Sequence, residues 1–275
     1  MTLRRAFDDY IYQRDGQVAR NTLKTESGCM VALLSSLGAA PLADITIADI
    51  FAYRRGRLDA GIRASSVNQE ISILQRIMKH AGVPAPFVKK LKYRPRERRA
   101  LTPEQKAHLF DVAAERPAWA IAYDAATIAA NTTMRGDEIR ALRVADVDLV
   151  RGQLVVPRSK TDAGHGRMIP LNDTVIEVVR RRCAADPDYY VLHPSGRPWR
   201  PVKSWRSAWE SLTKAAGMPE LGFHALRHQA ITELAEAGVP DGVIKSIAGH
   251  VSQRMLEHYS HARVEAKASA VAVLA

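Results

Sequence analysis

Apolar residues recur at helical spacing through most of this chain, and the breaks between stripes mark its organisation. Leu3, Phe7, Tyr10 and Ile11 form one stripe, and Met30, Leu33, Leu34 and Leu37 a second, closed by Gly38. Thr46 with Asp49 three residues on predicts a capped start for a third helix over 47–57. Ser65 and Ser66 are expected to open a fourth, with Val67, Ile71, Leu74 and Met78 facing inward and Gly82 ending it. Periodicity then stops. The stretch KKLKYRPRERR at 89–99 holds seven Lys and Arg against Glu97 alone, and it contains Pro95. Leu101-Thr102-Pro103-Glu104-Gln105 has the form of a capping box with Pro at the first helical position, so a new domain starts there. The pattern therefore divides the chain into a helical domain at 1–88, a basic linker at 89–100 and a second domain at 101–275.

Within the second domain, 119–130 reads as an apolar core helix. A shorter one begins near Met134 and carries Ile139, Leu142 and Val144 inward. Residues 153–156 and 167–169 read as a hairpin around a Gly-containing loop. Helices near 172–184 and 203–215 follow, with Trp205 and Trp209 as core. Leu226, Ile231, Leu234 and Ala235 form a further helical stripe that ends at Gly238, and Asp241 is expected to cap the next helix, which stops near Gly249 and His250. Val264, Ala268, Val271 and Leu274 again recur at helical spacing and predict a short tail helix. The fold class is mainly α: a four-helix N-terminal domain and an α+β second domain with a small hairpin or sheet.

Charge narrows the partner. Lys and Arg number 40 against 29 Asp and Glu, a formal charge of +11, which favours a polyanion. Charge alone fits RNA, DNA or a membrane surface. Arg54, Arg55, Arg57 and Arg63 cluster on the third helix and the turn after it; such faces are usually solvated, and phosphate contact becomes the preferred reading only with DNA as substrate. Cys29 and Cys183 provide neither a disulfide framework nor metal-ligand spacing, as expected in a reducing compartment. No apolar run is long enough for a membrane span, and the N-terminus lacks a signal-peptide core. The expected location is cytoplasmic and nucleoid-associated, with no membrane partner.

The chemistry concentrates between 223 and 261. His224 and Arg227 stand three residues apart on one predicted helix, His250 sits at the end of the next, and Tyr259 follows with His258 and His261 beside it. Arg offers a planar fork of donors to phosphate, and His exchanges protons near neutral pH. A Tyr hydroxyl becomes a nucleophile only when cations and a base activate it. Attack of a Tyr oxygen on a phosphodiester uses all of them.

AGHVSQRMLEHYSH, with Tyr259 nine residues after His250, resembles the C-terminal box of the tyrosine recombinase (phage integrase) family, and HALRH at 224–228 resembles its His-x-x-Arg box. NTTMRGDEIRAL at 131–142 is similar to the family's first Arg box, with Arg135 and Glu138, and Lys160 in the predicted hairpin fits its β-hairpin lysine. His165 and Arg167 read as bystanders there. Thr133 departs from the pattern, standing where the family usually has Gly. LADITIADIFAYRR and SSVNQEISILQRIMKHAG are similar to the family's N-terminal core-binding domain.

What this resemblance implies is a site-specific DNA recombinase that cuts and rejoins double-stranded DNA through a 3′-phosphotyrosine, in integration, excision or resolution. Arg135 and Arg227 would hold the scissile phosphate, and His250 would add a donor. Tyr259 would attack, Lys160 would protonate the leaving 5′ oxygen, and His224 would assist proton transfer at the tyrosine. No cofactor or metal is implied. The resemblance also implies a homotetramer on paired sites, a monomer or weak oligomer when free, and a tail helix docked on a neighbouring protomer, the other reading of the tail being that it folds back onto its own domain. The early start of the first domain leaves no room for a further arm-site-binding domain. Competing readings are a non-catalytic DNA-binding protein on the same fold, a type IB topoisomerase or telomere resolvase, and a metal-dependent hydrolase or transposase using the histidines. For the last, 224 and 228 have a shareable spacing but no HExxH or carboxylate partner accompanies them.

Overall fold

The computed structural model describes residues 1–93, 101–157, 166–183 and 186–251. The chain forms two compact units, Met1–Glu97 and Arg98–Ala275. The N-terminal unit holds four helices: α1 (Leu3–Arg14), α2 (Arg20–Leu37), α3 (Ile47–Asp59) and α4 (Ala64–His80). α4 packs against the other three and buries Val67, Ile71, Ile73, Leu74, Ile77 and Met78 against Leu3, Met30, Leu33 and Ile50. The helical spacing of those residues makes α4 amphipathic, and burying its face stabilises it more than propensity does. At the start of α3, Thr46 and Asp49 exchange hydrogen bonds as a full capping box.

α4 starts earlier than Ser65 and Ser66 suggest. The carbonyl of extended Arg63 accepts from Ser66 N and Val67 N, so both serines lie within the first turn. Leu91 is also held on this unit, because the Asn68 side chain donates to its carbonyl (2.9 Å) and accepts from its N–H (2.8 Å). The opening residues of the basic stretch are thus anchored to α4.

The C-terminal unit is arranged round α6 (Ala120–Thr132), which is buried on nearly every side. Its run of alanines lets α5 (Pro103–Ala114), α7 (Gly136–Ala141), α8 (Asp173–Arg182), α9 (Arg206–Ala215) and α10 (His224–Glu236) approach. The predicted capping box at Thr102 and Gln105 opens α5. Asp124 is buried on α6 and accepts from Arg181 and Arg182, both at 2.5 Å, which ties α8 down. Strands β1 (Val147–Asp148), β2 (Gln153–Val155) and β3 (Met168–Pro170) form an antiparallel sheet in that order. Leu154 faces Val147 on one side and Ile169 on the other. β1 adds a strand to the expected hairpin. α11 (Asp241–Ala248) follows α10. Asp241 is its first residue and Pro240 its cap, so the carboxylate acts through the helix dipole and not as a cap. Trp119 lies in a 3₁₀ turn ahead of α6. No described helix is long and apolar enough to cross a membrane.

Candidate active site

Four of the six predicted site residues fall in described segments, and all four belong to the C-terminal unit. Arg135 caps α7, His224 and Arg227 lie in the first turn of α10, and His250 follows α11. Lys160 and Tyr259 lie outside the described residues, as do His258, His261, the predicted tail helix and 94–100 of the basic stretch.

Aromatic packing brings the first two elements together. Phe223 sits between Trp205 and Trp209 with ring centroids 5.1 and 5.2 Å away. Gly136 lies against both rings: a Cβ there would meet Trp205 at 3.4 Å and Phe223 at 3.6 Å, in ordinary van der Waals contact. Arg135 and His224 are the chain neighbours of Gly136 and Phe223, and the packing fixes the starts of α7 and α10 side by side.

Arg227 is 3% exposed. Its Nη1 donates to the Thr133 carbonyl, and its Nη2 donates to the carbonyls of Ala248 (2.8 Å) and His250 (3.3 Å). Gly249, at φ 71° and ψ −136°, ends α11 and leaves those last two carbonyls facing inward. Thr133 ends α6 in the left-handed region at φ 58°. Two helix ends thus supply the acceptors for one guanidinium. Burial first, and then the charge of Arg135, pull the Arg227 guanidinium down from its usual range to about 10; Glu138 acts in the opposite direction.

Arg135 reaches the same His250 carbonyl through Nη2 at 3.1 Å. Its Nη1 donates to Glu138 Oε1 at 3.0 Å, and its backbone N–H donates to Glu138 Oε2 at 2.9 Å. Glu138 is buried and therefore caps α7 while fixing the Arg135 side chain. His250 and His224 are exposed. His224 stacks edge-on against His228, centroids 4.7 Å apart.

Arg167, read as a bystander, is part of the cluster. It is buried, donates to both Glu138 oxygens (3.2 and 2.6 Å), and donates through Nε to the Ile247 carbonyl at 2.8 Å. The signal was present in the strand pattern. Arg167 and Ile169 are buried while Met168 and Pro170 are exposed, so an arginine just before β3 continues the strand's inward alternation.

Of the basic group on the N-terminal unit, Arg57 is engaged with Glu70 through two hydrogen bonds of 3.0 and 2.6 Å. Arg54 stacks on Phe51 and donates to the Lys89 carbonyl. Among the described residues, no three His, Cys, Asp or Glu side chains converge as a metal site would need.

Chemically, the C-terminal cluster has the donors to hold an anion. Two guanidinium groups meet at the His250 carbonyl, an arrangement suited to an oxyanion whose charge grows during reaction.

A profile described as the Phage integrase family matches residues 99–266. The shufflon-specific DNA recombinase of Escherichia coli is 30% identical over 237 residues, 80% of this chain and 59% of that protein. The integrase of Salmonella phage P22 is 25% identical over 187 residues, 64% of this chain and 47% of that protein. The chain therefore spans about half to three-fifths of the length of these relatives. In fold it is similar to the Tn1549 transposon integrase in complex with circular intermediate DNA, with a TM-score of 0.77, 22% identity, and 94% and 95% of the two chains covered. The lambda integrase tetramer bound to a Holliday junction gives 0.75 at 22% identity, covering 94% of this chain and 77% of that one. With the profile covering more than half of its 275 residues, the chain belongs to the phage integrase family of tyrosine recombinases.

Proposed function

We propose that this chain is a site-specific DNA recombinase that exchanges strands through a covalent phosphotyrosine. The observation that carries this reading is Arg227: a buried guanidinium held by carbonyls alone among the described residues, next to Arg135. Neutral acceptors satisfy its hydrogen bonds, no carboxylate among the described residues bonds to it directly and Glu138 acts on it only at a distance, so a bound phosphodiester would supply a direct counterion. Tyr259 Oη would attack the scissile phosphorus in line. The P–Oη bond forms and the P–O5′ bond breaks, and the departing 5′ oxygen takes a proton from Lys160. The tyrosine's own proton leaves through the histidines, with His224 assisting. Arg135, Arg227 and His250 would bind the non-bridging oxygens and stabilise the pentacovalent transition state. A second 5′ hydroxyl reverses the step, so one ester replaces another and no external energy source is consumed. The shufflon-specific DNA recombinase and the two solved integrases named above act on or are bound to DNA in their own descriptions, and the basic balance of this chain fits the same partner. Paired sites would be held by four copies.

The test is capture of a protein–DNA adduct on a library of randomised duplexes carrying nicks, which trap a cleaved strand by letting the short product diffuse away. The wild-type chain is expected to yield adducts resistant to detergent, and sequencing them identifies the site. Tyr259→Phe should bind the same DNA and yield none. Adduct persisting in that variant would remove Tyr259 as nucleophile; binding without any adduct from the wild type would leave a non-catalytic DNA-binding protein.

A further inference from the structure

We propose that Arg167 is a positioning residue of the recombination site, acting through Glu138 to hold Arg135 against the end of α11; the role rests on the function proposed above. Three observations carry it. Arg167 is buried immediately before β3, where it extends the inward alternation of Ile169 and its carbonyl accepts from Val156 N, a place where that pattern otherwise puts apolar side chains. An arginine there costs desolvation, so its place is explained by what it holds. Second, its terminal nitrogens take both oxygens of Glu138 (3.2 and 2.6 Å), the carboxylate that also binds the Arg135 side chain and backbone N–H. Third, its remaining nitrogen, Nε, donates to Ile247. The carbonyls of Ile247, Ala248 and His250 thus receive Arg167, Arg227 and Arg135.

One planar fork therefore ties three elements: the sheet, the start of α7 and the end of α11. Glu138 and the His250 carbonyl both hold the Arg135 fork, and Glu138 is held in turn from the far side by Arg167. A guanidinium suits this task because it serves three acceptors in a plane; an ammonium cannot span both Glu138 oxygens and the Ile247 carbonyl in that geometry. Arg167 itself faces the protein interior and is not placed to touch DNA.

A misplacement of a binding group by about 1 Å can cost roughly 10²-fold in rate. Arg167→Met should therefore slow single-turnover cleavage about 100-fold on a nicked duplex carrying the mapped site, with DNA affinity little changed. The deciding comparison uses the same duplex with a methylphosphonate at the scissile position. There a methyl group replaces one non-bridging oxygen, the diester is neutral, and alignment of Arg135 on a charged oxygen matters far less. The expected defect of Arg167→Met narrows to within about 10-fold on this substrate, taking the 10²-fold positioning cost as the reference. Arg167→Lys, which keeps the charge and is the variant to read if the methionine variant does not fold, should show the same narrowing from a smaller defect. Wild-type rates in both variants, or an equal loss on both substrates, would overturn the positioning role and leave Arg167 a structural ion pair. Absence of adduct from the wild-type chain would overturn the recombinase reading, and this role with it.

Discussion

Both units bury carboxylates beside arginines, but they balance charge differently. In the N-terminal unit, Glu70 on α4 accepts from Tyr53 Oη at 2.7 Å and from Arg57 at 3.0 and 2.6 Å. Glu26 on α2 accepts from Tyr10, Arg14 and Arg76. Each guanidinium in these groups meets a carboxylate. Burial and the Glu70 carboxylate also push the Tyr53 phenol well above its usual range, so it stays a neutral donor. In the C-terminal unit Glu138 likewise joins Arg135 and Arg167, but Arg227 meets only neutral carbonyls among the described residues. The first arrangement gives every guanidinium a carboxylate without a ligand, although Glu26 Oε2 and Arg14 Nε are left without hydrogen-bond partners. The second satisfies geometry but leaves one buried guanidinium with no carboxylate bonded to it among the described residues, the feature on which the proposed anion binding rests.

Replacing the shared carboxylate should break the second arrangement most. Glu138→Gln leaves Arg135 and Arg167 facing each other without their counterion, and losing one partner of a buried pair costs about 3–5 kcal/mol. Denaturant unfolding should show a loss of that size, together with slower cleavage. A variant as stable as the wild type would mean that the Arg135–Glu138–Arg167 bridge is not the clamp described above.

Arg227→Gln is expected to act mainly on the reaction. Loss of one donor to a developing oxyanion costs about 10²–10³-fold in rate, while the amide can still donate to one of the three carbonyls. The pH profile gives a second readout. With the folded pKa near 10 and thus below its unfolded value, the unfolded state binds the extra proton, so this residue's contribution to stability rises as pH climbs through 10. Subtracting the Arg227→Gln unfolding curve from the wild type should reveal that rise, and a flat difference would show that the charge is not buried uncompensated.

Glu70→Gln should cost less, about 1–3 kcal/mol, since Gln keeps an acceptor for Tyr53 and Arg57 is partly solvated. Cleavage by the bound complex should stay at the wild-type rate, measured on saturated DNA. A cleavage defect comparable to that of Glu138→Gln would erase the distinction between the two units.

How much of this contrast the sequence discloses depends on how local each interaction is. The helix stripes, the capping boxes at Thr46 and Thr102, and the pairing of Arg135 with Glu138 one turn away are short-range patterns. They were legible in residue spacing, as was the bend at Gly249. Glu26 and Glu70 were not, because a carboxylate on an apolar helix face has no local signature. The partners of Glu26 lie 12 and 50 positions away for Arg14 and Arg76. Arg167 lies 29 positions from Glu138 and 80 from Ile247. Attention to the hairpin lysine hid it, although its alternation with Ile169 placed it inside. Ser65 and Asp241 misled for the opposite reason: each has the right side chain for a cap, but extended backbone at Arg63 and Pro240 starts the helix without one.

The smallest expected effect concerns Thr133, which stands where the family usually has glycine. The structure gives that preference a cause: φ is 58° and ψ 9°, in the left-handed region. An L-residue there costs about 1–2 kcal/mol, and a β-branched one is least suited to it. Burial adds to this, because Thr133 Oγ1 is enclosed without a hydrogen-bond partner. Glycine removes both penalties but gives back about 0.5–1 kcal/mol through the greater freedom of the unfolded chain. Thr133→Gly should therefore stabilise the C-terminal unit by about 1 kcal/mol, a rise in melting temperature of roughly 2–4 °C for a unit of this size. What the active site takes from this residue is its backbone carbonyl, the acceptor for Arg227, and glycine retains it in the same conformation. Cleavage should thus stay near the wild-type rate while stability rises. A more stable but much slower variant would show instead that the threonine side chain helps aim that carbonyl, and would move Thr133 from tolerated departure to part of the arginine cluster.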